Sequence, residues 1–262
     1  MILFLLGCMA QDKEDTAFVE YWRLVWEDNF DGDAGSPPDP NKWTHDVGGD
    51  GWGNSQLEYN TDRTENVSHR GDGFLQLKAI KEDYENNAYT SARIKTQGLF
   101  SAQNARIEAR IKVPSGSGIW PAFWMLGDSF SEVGWPACGE LDILELKGED
   151  PYTIYGTAHG PGYSGGDGVG GSILKAEPFS DDFHVYSIDI DPGHIVWSVD
   201  NEVFFKLRNG DIPTGTPWVY DEPFFLLLNI AVGGHFVEPP DDTTEFPTSM
   251  FVDYVRVYER GP

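Results

Sequence analysis

Gly139-Glu140-Leu141-Asp142-Ile143-Leu144-Glu145 places three carboxylates within six residues, separated by apolar side chains. In a β-strand alternate residues face opposite sides. Glu140 and Asp142 then share one face, and Leu141 and Ile143 take the other. Strict alternation would put Leu144, not Glu145, on the acidic face. One extra residue, a β-bulge, returns Glu145 to it, and bulges are common where a side chain must be re-aimed beside a site. The segment therefore reads as a bulged strand with one apolar and one acidic face.

Paired carboxylates on one face suit hydrolysis of a glycosidic bond. One carboxylic acid protonates the leaving oxygen and a second carboxylate acts from across the ring, at about 5–5.5 Å in enzymes that retain configuration. With the bulge, Glu140 and Glu145 lie roughly 13 Å apart along the strand, so side-chain lean and sheet curvature must close the gap. Three neighbouring negative charges cannot all ionise cheaply, so at least one pKa rises. A general acid working near neutral pH needs such a rise. A solvated acidic strand face is the bland alternative for any one of these residues taken alone.

The rest of the chain has a β pattern from Arg23 onward. Short runs rich in Val, Ile, Phe, Tyr and Trp recur between Gly, Pro, Asn and Asp. The expected strands are Leu24–Trp26, Phe74–Lys81, Thr90–Lys95, Ala105–Val113, Ile119–Leu126, Leu141–Leu146, Thr153–His159, His184–Asp189, His194–Val199, Glu202–Leu207, Phe224–Val232 and Phe251–Tyr258. Asp200-Asn201 is a hairpin turn signal. A turn at Lys147–Pro151 would bring His159 beside the acidic strand. No long stretch has helical periodicity and there is no internal repeat. Many short strands at this spacing predict a two-sheet antiparallel sandwich. Gly48–Val67 and the glycine-rich Gly160–Gly171 read as irregular loops at the rim of a cleft.

The chain has 262 residues, enough for one sandwich domain with a large core. Lys and Arg number 18 against 43 Asp and Glu, a formal net charge of −25. Such a surface repels nucleic acid, anionic lipid and sulfated polysaccharide, and is indifferent to a neutral one. The two cysteines exclude a disulfide framework and a thiolate zinc cluster. Cys138 reads as a small buried hydrophobe. Cys8 ends the apolar run Leu5-Leu6-Gly7 and resembles a bacterial lipoprotein processing site, which makes residues 1–20 a signal or lipid-attachment segment with an acidic tether and 21–262 the domain proper. A frayed start that is no signal fits the same residues. No stretch approaches the ~20 apolar residues of a membrane-spanning helix.

Glu140-x-Asp142-x-x-Glu145 resembles the bulged signature of glycoside hydrolase family 16. The likeness runs from about Leu24 to Tyr258. It takes in Gly51-Trp52-Gly53-Asn54, Tyr89-Thr90-Ser91-Ala92-Arg93, Arg106-Ile107-Glu108-Ala109-Arg110, Gly118-Ile119-Trp120-Pro121-Ala122-Phe123-Trp124-Met125-Leu126 and Val252-Asp253-Tyr254-Val255-Arg256-Val257-Tyr258. Several motifs in one order are more specific than the carboxylates alone, and their wording is most similar to the laminarinases. The resemblance implies a jelly roll with a concave cleft and a monomeric, secreted or surface-anchored bacterial enzyme. It would cut internal β-1,3 bonds of laminarin-like β-glucans, with mixed-linkage glucan as a further substrate. It implies Glu140 as nucleophile, Glu145 as acid/base and Asp142 as their electrostatic partner. Asn54 and Arg93 match positions that bind sugar on the non-reducing side, although Arg93 also suits a structural salt bridge. Trp124, Trp135 and Trp120 match cleft aromatics, and His159 a cleft histidine. No catalytic cofactor is implied. A structural calcium is, held by the carbonyls of Asn29 and Gly73 and by Asp253, with a hydrogen-bonded Asp253 as the plain alternative.

Two departures bear on substrate. Many laminarinases carry a tryptophan soon after the Gly-Gly of the penultimate strand, and here Gly233-Gly234 is followed by His235-Phe236. The usual Asn-Glu-Leu-Gln run reads Ser55-Gln56-Leu57-Glu58. Two other functions compete: an agarase or carrageenase on the same fold, and a non-catalytic glucan-binding module. The negative charge disfavours sulfated galactans. Retention of both Glu140 and Glu145 disfavours a module without catalysis.

Overall fold

The computed structural model describes residues 22–261; the signal-like segment with Cys8 lies outside them. Seventeen strands follow in order: β1 Trp22–Asp28, β2 Thr44–His45, β3 Glu58–Asn60, β4 Val67–His69, β5 Leu75–Tyr84, β6 Asn87–Ser91, β7 Arg93–Lys95, β8 Ala105–Lys112, β9 Ile119–Gly127, β10 Glu140–Lys147, β11 Asp150–His159, β12 Val169–Leu174, β13 His184–Asp191, β14 His194–Val199, β15 Glu202–Arg208, β16 Phe224–Val232 and β17 Thr248–Arg260. One α-helical turn, Phe130–Val133, stands between β9 and β10. Seven strands form one sheet in the order β12-β11-β10-β9-β16-β7-β2. The other sheet runs β15-β14-β13-β8-β17-β5-β6-β3, with β1 on β17 and β4 on β5. All pairings are antiparallel except β3 with β6, which is parallel. The sandwich read from the sequence is the architecture found.

The core lies between the two sheets. β16 lies inside the seven-stranded sheet, between β9 and β7, and is buried along its whole length, with Phe224, Leu226, Leu228, Ile230 and Val232 in the main core. Its alternate residues Phe225 and Leu227 join Leu126 and Cys138 in a smaller cluster beneath Trp124 on the opposite face. That second cluster explains why the strand reads as a continuous apolar run. The Asp200-Asn201 turn has both residues at positive φ, 50° and 66°, the twist that a two-residue hairpin between β14 and β15 requires.

Three features differ from the sequence reading. Thr90–Lys95 is two strands: the chain passes between the sheets at the fully buried Ala92, so β6 pairs β5 and β3 while β7 pairs β16 and β2. Gly48–Val67 contains β3. The glycine-rich segment 160–171 runs into an edge strand, β12, paired with β11. Its glycines serve close approach as well as turning. A Cβ at Gly171 would lie 2.8 Å from Cβ of Phe205, and one at Gly170 would lie 2.6 Å from the carbonyl oxygen of Gly156.

Candidate active site

The bulge is present in β10. Against β11, Asp142 faces Thr157 and Glu145 faces Tyr155, so Ile143 and Leu144 together oppose Gly156. Against β9, Asp142 faces Trp124 and Leu144 faces Phe123, skipping Ile143. The energetics favour this arrangement. Leu141, Ile143, Leu144 and Leu146 all join the main core, and each buried aliphatic side chain contributes about 2 kcal/mol. A disturbed ladder bond costs about 1 kcal/mol. Two consecutive apolar residues enter the core and Glu145 returns to the face of Glu140 and Asp142.

β9 and β11 supply the flanks. The hairpin from β10 to β11 brings His159 opposite Glu140. Its Nε2 lies 3.1 Å from Oδ2 of Asp142 and 3.6 Å from Oε1 of Glu140, so one imidazole serves two carboxylates. Gly168 makes room for that ring, since a Cβ there would lie 2.4 Å from Cε1 of His159. From β9, the indole N–H of Trp120 donates to Oε1 of Glu145 at 3.0 Å. Trp124 donates to Oδ1 of Asn229 on β16 at 2.7 Å. Trp135 is 46% exposed, with its ring 6.4 Å from that of His159.

The carboxylates are little exposed, with Asp142 at 4% and Glu145 at 9%. Burial, followed by the charge of Asp142, pushes the Glu145 carboxyl up to about 8; His159, the Trp120 hydrogen bond and Lys147 pull the other way. Burial also raises Asp142. Glu140 is raised by burial and then by Asp142, opposed by His159 and Arg93. The cluster thus holds fewer charges than carboxyls. That supports one ionised nucleophile beside one protonated donor.

Arg93 projects from β7 between two indoles, its guanidinium carbon 4.9 Å from the ring of Trp52 and 4.6 Å from that of Trp124. Its Nε also lies 3.0 Å from Oδ2 of Asp46, so the salt bridge left open by the sequence is formed. Asn54 lies in an exposed turn, and its main-chain oxygen accepts from the N–H of His235 at 2.9 Å. Arg93, Trp120, Trp124, Trp135 and His159 therefore stand on the strands and loop that flank the carboxylates, and Asn54 lies beyond Trp120, across Gly234.

The family model described as glycosyl hydrolases family 16 matches residues 53–255. The chain belongs to glycosyl hydrolases family 16. It is 40% identical to a β-glucanase of Rhodothermus marinus over 98% of this chain and 92% of that protein. Among solved structures it is similar to the laminarinase catalytic domain of Thermotoga maritima MSB8, with TM-score 0.87, 45% identity and coverage of 92% and 99% of the two chains. A non-specific endo-β-1,3(4)-glucanase of the family, solved with 1,3-β-D-cellobiosyl-glucose at its active site, superposes with TM-score 0.83 at 35% identity, covering 91% of this chain and 95% of the other.

The surroundings of Glu145 include residues that the sequence reading left out of the site. Phe236, which follows Gly233-Gly234 by two residues, packs 5.0 Å from the ring of Trp120 and 5.6 Å from that of Tyr155. Lys147 Nζ lies 4.6 Å from the centre of the Phe236 ring. Tyr155 could have been found from its shared face with Thr157 and His159. Trp52 stood in the motif Gly51-Trp52-Gly53-Asn54 with no site role given to it.

On the other sheet, Asn29, Gly73 and Asp253 flank one stretch of β17. β17 pairs with β1 from Val255 onward and with β5 up to Val252. Asp253 therefore lies at the gap where Asn29 follows β1 and Gly73 precedes β5, and the β8 register skips it as a bulge. Its carboxylate Oδ2 accepts from Arg110 Nη1 at 2.6 Å. The hydrogen-bonded alternative for Asp253 is the contact found.

Proposed function

We propose that this chain is an endo-acting, retaining β-glucanase that hydrolyses internal β-1,3-glucosidic bonds of laminarin-like glucans, with mixed-linkage β-1,3-1,4-glucan as a second substrate. The observation that carries it is the bulged strand itself. Glu140 and Glu145 stand on one face, differently partnered, among Trp120, Trp124 and Trp135, in a chain similar to laminarinases over nearly its whole length.

In this reading Glu140 attacks the anomeric carbon while Glu145, protonated, gives its proton to the leaving oxygen. The glycosyl–Glu140 ester is then hydrolysed by a water that the ionised Glu145 deprotonates. Asp142 and His159 hold the charge balance. His159 favours the ionised form of Glu140, and Asp142 keeps the proton on Glu145. Indole faces stack on the apolar faces of glucosyl units. The net charge of −25 supports a neutral glucan over a sulfated galactan.

A polysaccharide substrate too large to enter a cell supports a secreted or surface-attached enzyme, and the proposal includes a monomer tethered through Cys8. The proposal extends to a structural calcium held by the main-chain carbonyls of Asn29 and Gly73 with Asp253. Its support is the register that sets Asn29 and Gly73 beside the stretch of β17 that holds Asp253; bound there, the ion would tie β1, β5 and β17 and take no part in bond cleavage. Reducing-end release from laminarin, lichenan, agarose and carrageenan, compared side by side, tests the substrate. Laminarin should be cut fastest, and equal or faster turnover of agarose or carrageenan overturns the reading.

A further inference from the structure

We propose that Trp197, on the sheet opposite the carboxylates, is a positioning residue that pins the catalytic bulge. Trp197 lies on β14 and is fully buried. Its indole N–H crosses the core and donates to the main-chain carbonyl of Asp142 at 2.9 Å. That carbonyl belongs to the last residue before the two-for-one step in β10.

The surroundings are built for this contact. The residue of β11 that faces the bulge is Gly156, where a Cβ would lie 2.6 Å from Cδ1 of Trp197 and 3.0 Å from Cζ of Phe204. Behind the indole, the ring of Phe205 lies 5.0 Å away. Phe205 in turn approaches Gly171 so closely that a Cβ there would lie 2.8 Å from its own Cβ. Gly156 thus gives Trp197 the space to reach the catalytic strand, and Gly171 gives space to Phe205 behind it.

The contact decides between two registers. Without the extra residue, Leu144 would turn to the acidic face and Glu145 to the core. A bulge removes main-chain groups from the ladder, and a buried carbonyl without a donor is costly. Trp197 supplies a donor only where the bulge begins at Asp142, so it favours the register that aims Glu145.

The inference rests on the reading of Glu140 and Glu145 as the catalytic pair, so wild-type cleavage of laminarin is established first and each variant is read against it. Two replacements separate donor from bulk: Trp197→Phe, and 3-benzothienylalanine at position 197, which keeps the indole shape with sulfur in place of the N–H. Phe205→Leu is the packing control. Rates are taken well below each variant's melting temperature and corrected for folded fraction. The isostere should lower kcat about ten- to hundred-fold, the scale of a displaced catalytic group, with KM within about twofold. It should also move the basic limb of the pH profile, because Glu145 would sit differently towards Asp142, His159 and Lys147, the charged groups that bear on it. Phe205→Leu should lower the melting temperature and leave kcat and the limb in place. A folded isostere variant with wild-type kcat and an unmoved limb overturns the proposal, as does an equal limb shift in Phe205→Leu.

Discussion

The indole N–H of Trp120 and the carboxyl Oε1 of Glu145 are 3.0 Å apart. The ring that orients the proposed acid/base also packs on Phe236, so its position is fixed from two sides. A donor to a carboxylate favours the ionised form. Trp120→Phe should therefore move the basic limb of kcat/KM to higher pH. It should also lower kcat about fivefold, the loss of one hydrogen bond of about 1 kcal/mol. A limb that moves to lower pH would contradict this role for the indole.

The wild-type pH profile follows from the same cluster. Glu145 donates only while protonated, and burial pushes its carboxyl up to about 8. Activity should then peak near that region and fall as pH rises through it, because burial raises the Glu140 nucleophile to about 8 as well. Below it, protonation of Glu140, itself raised by burial, sets the acid limb. The kcat/KM profile of the free enzyme reads both limbs. A basic limb near the ordinary carboxylate range would show that Glu145 does not hold its proton.

The two glutamates should fail in different ways. Glu140→Ala removes the nucleophile and leaves space for azide, which should yield product of inverted configuration. Glu145→Ala removes the donor, so an activated aryl glucoside should lose least in the first step. Asp142→Asn should be milder than either, because no bond forms to it. NMR of the initial wild-type product decides the stereochemistry. An α-anomer first would mean inversion and remove Glu140 from the nucleophile's role.

The calcium proposal is tested by stability. An ion bound only to the folded chain raises its melting temperature, so chelator should lower the melting point while activity in the cold is kept. Asp253→Asn should reduce that calcium response. Melting curves that coincide in calcium and in chelator would leave Asp253 to its ion pair with Arg110.

What could be read from the sequence was local. The bulge at Ile143–Leu144 was legible because two adjacent apolar residues between carboxylates fit no flat strand, and His159 was legible because a short turn fixes its register. The division at Ala92 carries no Gly or Pro, so nothing marked it. Gly170 and Gly171 read as loop because a glycine needed for close approach looks the same in sequence as one needed for a turn. Phe236 and Trp197 were illegible for another reason. Each meets its partner across a large sequence separation, as Trp197 and Asp142 do across 55 residues, and no periodicity reports such a contact.

Glu58 offers a stability prediction independent of catalysis. Its side chain is fully buried. Oε2 accepts the main-chain N–H of Val232 at 2.8 Å and Oε1 accepts from Nδ2 of Asn60 at 3.3 Å. Burial outweighs these bonds and pushes the carboxyl up to about 7, from an ordinary 4.5. The folded state therefore binds this proton more tightly than the unfolded chain does. The stability it contributes is fully present below about pH 4.5 and is lost as pH rises through about 7, a difference on the order of 3 kcal/mol. Glutamine at this position keeps an oxygen for Val232 and carries no charge at any pH. A rotated Asn60 amide can accept from its NH2 group. Glu58→Gln should accordingly match the wild type near pH 4.5 and exceed it at pH 8, by urea unfolding at the two pH values. A stability difference that is the same at both would show that Glu58 does not change its protonation on folding.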